Sequence, residues 1–63
     1  MISQYTIKYE CDDRYVRNRL YNQLSDAGFD VESGESDGFF DVIATTSEFS
    51  NFQAIRSIMV KHV

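Results

Sequence analysis

A chain of 63 residues whose only cysteine is Cys11 and whose only histidine is His62 must hold itself together by side-chain packing. One thiol forms no internal disulfide, and one Cys with one His cannot close a tetrahedral zinc site. A domain this short buries only about 60% of its unfolded surface. The sequence therefore predicts one domain with a compact apolar core, completed by a second copy of the chain if its own apolar residues fall short. Nine aromatics (Tyr5, Tyr9, Tyr15, Tyr21, Phe29, Phe39, Phe40, Phe49 and Phe52) offer large areas for that core.

The apolar period predicts the elements. Tyr5, Ile7, Tyr9 and Cys11 alternate with polar residues, which predicts a half-buried strand over Gln4–Cys11. Asp12 and Asp13 break it and offer N-cap oxygens. Val16, Leu20, Leu24 and Ala27 share one stripe of a helix running from Asp13 to Ala27, and Gly28 follows as its left-handed terminator. Phe29–Ser33 alternates again, Gly34 and Asp37-Gly38 mark a turn, and Phe39–Thr46 is the most apolar segment, suited to a central strand. Thr45-x-x-Glu48 and Ser50-x-x-Gln53 both have capping-box form, and one of them should open a second helix reaching the C-terminus. Its stripe is Phe52, Ile55, Met59 and Val63, with Phe49 and Ile58 on the flanks.

The order β-α-β-β-α is the ferredoxin-like split arrangement without its last strand. It predicts an α+β domain with a three-stranded, antiparallel or mixed sheet, a right-handed crossover, and both helices on one face. The missing strand leaves a sheet edge free for a dimer partner or another protein. Monomer and homodimer both remain open.

Charge is unevenly distributed. The net charge is −4, yet no Lys or Arg occurs between Leu20 and Ile55, a stretch holding Asp26, Asp30, Glu32, Glu35, Asp37, Asp41 and Glu48. The hairpin is thus expected to form an uncompensated acidic lobe. Such a lobe repels phosphate, attracts basic surfaces and speeds encounter with them. It also serves simply as a solvated loop that keeps a protein soluble. Alternation places Phe40, Val42 and Ala44 on one face of the third strand and Phe39, Asp41, Ile43 and Thr45 on the other. If Asp41 is solvated, the open face also carries Thr6, Lys8, Glu10, Asp30 and Glu32, giving an apolar centre with an acidic rim. Phe39 and Ile43 would serve a partner protein there, or a symmetric dimer, in which case the chain would be a purely dimerising regulatory module.

Motifs for chemistry are missing. There is no Gly-rich phosphate loop and no G-x-S-x-G, H-E-x-x-H or C-x-x-C. His62 reads as a surface cation near a helix end, and Cys11 as a small buried apolar group. Neither a catalytic residue, a metal site nor a cofactor is expected. Nucleic-acid binding on the sheet is not expected either, because Phe39 would sit among acids; Arg14, Arg17 and Arg19 with Tyr21 read as a solvated helix face or an anion-binding one. The start of the chain lacks signal-peptide character, and no apolar run approaches the ~20 residues of a membrane span. The expectation is a cytoplasmic, soluble protein with no membrane partner.

Two resemblances bear on function. Tyr9-Glu10-Cys11-Asp12-Asp13-Arg14, followed by a basic helix, resembles the small ferredoxin-like nucleases of the CRISPR-associated and toxin–antitoxin kind. That resemblance implies a dimer holding magnesium through Asp12 or Asp13. In size, acidity and lack of catalytic motifs the chain also resembles small phage-encoded inhibitors of host defence, including anti-CRISPR proteins that mimic DNA. This second resemblance implies a non-enzymatic inhibitor bound to the basic nucleic-acid-binding surface of a partner protein. The carboxylates of Asp30, Glu32, Glu35, Asp37 and Asp41 would meet that partner's Lys and Arg, with Phe39 and Ile43 supplying apolar contact.

Overall fold

The computed structural model describes residues 3–61, so the expectations for His62 and Val63 lie outside the described residues. The elements run β1 (Tyr5–Cys11), α1 (Arg14–Asp26), β2 (Asp30–Ser36), β3 (Phe39–Thr46) and α2 (Phe49–Val60). The three strands lie in the order β1-β3-β2, and β3 is antiparallel to both neighbours. The most apolar strand is thus central, as its composition predicts. This is the ferredoxin-like α+β arrangement with β1 left at an edge.

Both helices pack on one side of the sheet. Leu20 and Leu24 from α1, Ile55 and Met59 from α2, and Val42 and Ala44 from β3 form the buried core. Around it pack the half-buried Ile7, Tyr9, Tyr21, Phe29, Val31 and Ile58. The expectation of an aromatic core is corrected. None of the described aromatics is fully buried, and the largest fully buried side chains are aliphatic. Two thin layers leave too little depth to enclose a ring, so the aromatics lie around the margin. Tyr5, Phe49 and Phe52 gather there with ring centroids 5.4–6.0 Å apart. Phe49 remains 53% exposed.

Local chemistry sets the ends of α1. Asp13 is its N-cap, and Asp13 Oδ1 accepts from the backbone N–H of Tyr15 at 2.8 Å and of Val16 at 3.4 Å. At the other end Gly28 takes φ +92°. Its N–H donates to Ser25 O and the Phe29 N–H donates to Leu24 O, the two bonds of a Schellman closure. Phe29 is thereby committed to ending the helix, so β2 begins at Asp30 and not at Phe29. Ala27, expected in the buried stripe, is the exposed C-cap residue.

Two turn readings change. Gly34 lies inside β2, paired with Asp41, and does not belong to the turn. Asp37 and Gly38 alone make the turn, with φ +53° and +83°, and Ser36 pairs with Phe39 across them. That is the two-residue hairpin favoured by an Asp-Gly pair. Neither capping box opens α2. Thr45 and Thr46 are held in the strand ladder, opposite Thr6 and Tyr5, so the helix starts later with Glu48 as N-cap. Glu48 makes no side-chain capping bond; instead its N–H donates to Thr46 Oγ1 at 3.2 Å. No helix among the described residues is long and apolar enough to cross a membrane.

Candidate functional site

The face of the sheet away from the helices is read off the strand register. Side chains alternate sides, so residues paired across strands share a face. One row is Thr6, Thr45 and Asp30; the next is Lys8, Ile43 and Glu32; the third is Glu10, Asp41 and Gly34; the last is Phe39 beside Ser36. Asp30, Glu32, Phe39, Asp41 and Ile43 therefore come together on the open face as predicted. Glu35 does not join them. It pairs with Phe40, which puts it on the helix side at the hairpin end, while Asp37 occupies the turn.

Among the described residues, four carboxylates (Glu10, Asp30, Glu32 and Asp41) and one cation, Lys8, share this face. Lys8 Nζ lies 3.5 Å from Glu10 Oε2, the one ion pair at contact distance among the described residues. Both partners are more than half exposed, so the pair contributes little to stability. Ile43 is half-buried at the centre, and Phe39 is 51% exposed at the hairpin end. The half-buried Asp41 stands between them along the strand, so the two apolar side chains are separate contacts and not one continuous patch.

Asp41 faces Glu10 directly, and like charges in that position repel. Its carboxylate leans the other way. A Cβ built on Gly34 would lie 2.8 Å from Asp41 Oδ1, so the space a side chain would fill on β2 holds the carboxylate. Gly34 is a strand glycine kept for a close approach. Glycine within an alternating segment was the available signal; the turn reading obscured it. Glu10, read from the sequence as part of the acidic rim but not as a partner-binding residue, stands directly opposite Asp41.

The lobe is not wholly uncompensated. Folding brings α1 under the hairpin, where Arg14 and Arg17 lie over the Phe40 ring at 5.7 and 5.3 Å from its centroid. Arg17 Nη1 donates to Gly34 O at 2.8 Å, and Arg17 Nε donates to Asn18 Oδ1 at 2.8 Å. Arg17 is thus a half-buried strut for β2, not part of a free basic surface. Tyr21, grouped with the arginines by spacing, packs against the core. Arg14 and Arg17 stay on the helix side, and the open face, with Lys8 against four carboxylates, keeps its acidic character.

The strand end near Asp12 has a different character. Asp12, Asp13, Arg14, Tyr15 and Phe40 line a shallow depression. Asp13 Oδ1 is engaged as the helix cap. Among the described residues no three or more His, Cys, Asp or Glu side chains gather as a metal site would need. Cys11 is half-buried, not fully buried as expected, because β1 is an edge strand; its Sγ donates to Asp13 O at 3.3 Å. Burial first, and the neighbouring Cys11 second, raise the Tyr9 phenol above its ordinary value of 10.0.

No protein-family model matches the chain, and neither a curated protein nor a solved structure matches it.

Proposed function

We propose that the chain is a non-enzymatic binding protein whose open sheet face occupies the basic nucleic-acid-binding surface of a partner protein. One observation carries this reading: among the described residues, Glu10, Asp30, Glu32 and Asp41 share an uncovered face with Lys8 as its one cation. Asp30 and Glu32 are two residues apart, about 7 Å along the strand, so each can meet its own Lys or Arg. Such carboxylates would stand where phosphates bind, in the manner of a phage-encoded, DNA-mimicking inhibitor of host defence. Ile43 and Phe39 would add separate apolar contacts, and Glu35 and Asp37 would extend the acidic surface around the hairpin end.

The test is a tagged pull-down from host lysate at low and high salt, followed by the variant Asp30→Lys, Glu32→Lys, Asp37→Lys and Asp41→Lys combined. The expected partner is a nucleic-acid-binding protein released by salt. Nucleic acid should compete for it, and the combined variant should lose it while keeping its circular dichroism spectrum. Undiminished capture by that variant would remove the proposal.

A further inference from the structure

The sheet has two free edges, and their sequences treat a second copy of the chain differently. On β2, the open-face positions are Asp30, Glu32, Gly34 and Ser36. They carry charge of one sign, so no self-pairing register of β2 sets a cation opposite an acid. On β1, Lys8 and Glu10 have opposite sign and stand two residues apart on the same face. β1 is also seven regular residues without proline or glycine, and order β1-β3-β2 leaves its outer side unpaired. A row of unpaired backbone donors and acceptors of this kind is a template for another strand.

We propose that two copies of the chain join antiparallel through β1, about a two-fold axis at Tyr9. That axis, perpendicular to the sheet, sets Lys8 of each copy opposite Glu10 of the other and makes one six-stranded sheet with all four helices on one side. The neighbouring registers fail on charge. An axis at Lys8 places Lys8 against Lys8, and an axis at Glu10 places Glu10 against Glu10. A slip by a single residue would turn the apolar side chains to the wrong face. In the Tyr9 register the helix-side pairs are Ile7 with Cys11 and Tyr9 with Tyr9, all half-buried in one copy and all gaining cover. The same axis brings the Tyr5 end of one β1, where exposed Phe49 packs, beside the end of the other that leads into Tyr15, which is 75% exposed. The interface is isologous and closes on itself. It does not rest on the proposed partner: the edge pairs in the plane of the sheet, and the acidic face stays open in the dimer.

The experiment is sedimentation velocity on the full chain over a wide concentration range, with Lys8→Glu, Glu10→Lys and the double exchange. Both residues are exposed, so the variants should fold, as circular dichroism would verify. A dimer is expected for the parent chain. Each single reversal places like charges opposite each other at both symmetric positions and should weaken the dimer roughly tenfold or more. The double exchange restores the match and should return the affinity. In a Cys11→Ser background, Tyr9→Cys should form a disulfide across the axis on oxidation, because directly opposed strand residues lie within bridging distance; Lys8→Cys should not. A chain that stays monomeric, a dimer indifferent to the single reversals, or cross-linking at Lys8→Cys in preference to Tyr9→Cys would each overturn the proposal.

Discussion

Consecutive residues of β3 meet two different environments. Val42 and Ala44 point into the helix layer and are fully buried; Asp41 and Ile43, one residue away, point to the open side and stay partly solvated. One face is aliphatic and closed. The other is acidic, with Glu10 opposed to Asp41 across strands. The comparison shows how a short chain divides stability and recognition between two sides of one strand. Apolar burial on the first side must offset the repulsion tolerated on the second.

The strongest way to break this division is through the closed face. Leu24→Ala should cost about 2–5 kcal/mol, a large part of the stability of so small a domain. Urea unfolding followed by circular dichroism would measure it. Ile43→Ala on the open face should cost less than half as much, and equal losses would erase the distinction between the faces.

The link between the two sides is Arg17, which ties α1 to the backbone of β2 through Gly34 O. Arg17→Ala should destabilise by about 2 kcal/mol, the scale of a hydrogen bond from a charged donor. It should also speed amide exchange in β2 more than in β1. Uniform acceleration across the sheet would deny Arg17 a local role.

Charge on the open face should act in the opposite direction. Asp41→Asn removes repulsion from Glu10 and should stabilise the fold by a few tenths to about 1 kcal/mol. Added salt should narrow the gap between the variant and the parent chain. A destabilised Asp41→Asn would mean that the carboxylate over Gly34 is a favourable contact and not a tolerated one.

The smallest effect is alkaline. The folded Tyr9 phenol titrates above 10.0. Below that pH its contribution is fully present. As pH rises from the unfolded value to the folded one, the unfolded chain releases its proton first, and stability falls through that window. Tyr9→Phe should flatten this part of the pH–stability curve, as alkaline urea titrations would show.

Much of this molecule could be read in the residues. The period-2 and helical patterns located all five elements, Asp13 and Gly28 were recognisable as the ends of α1, and Asp37-Gly38 as a hairpin turn. Alternation also assigned Asp30, Glu32, Phe39, Asp41 and Ile43 to one face. The readings that failed were those in which two local signals competed. Thr45 and Ser50 looked like helix caps, yet Thr45 is held in the ladder with Thr46, and Ser50 lies inside α2, which already starts at Phe49. Gly34 looked like a turn residue, yet Asp41 needed its missing side chain.

The sequence by itself determined the order of elements and the polarity of each strand face, because both follow from spacing along one chain. Only the tertiary structure decided that Arg14 and Arg17 lie under the hairpin, that Glu35 leaves the acidic face, and that Glu10 stands against Asp41. These depend on register and helix placement, which join residues far apart in the chain. Alternation gives a charge its face within one strand, but only register and packing say which charges on other elements will stand beside it.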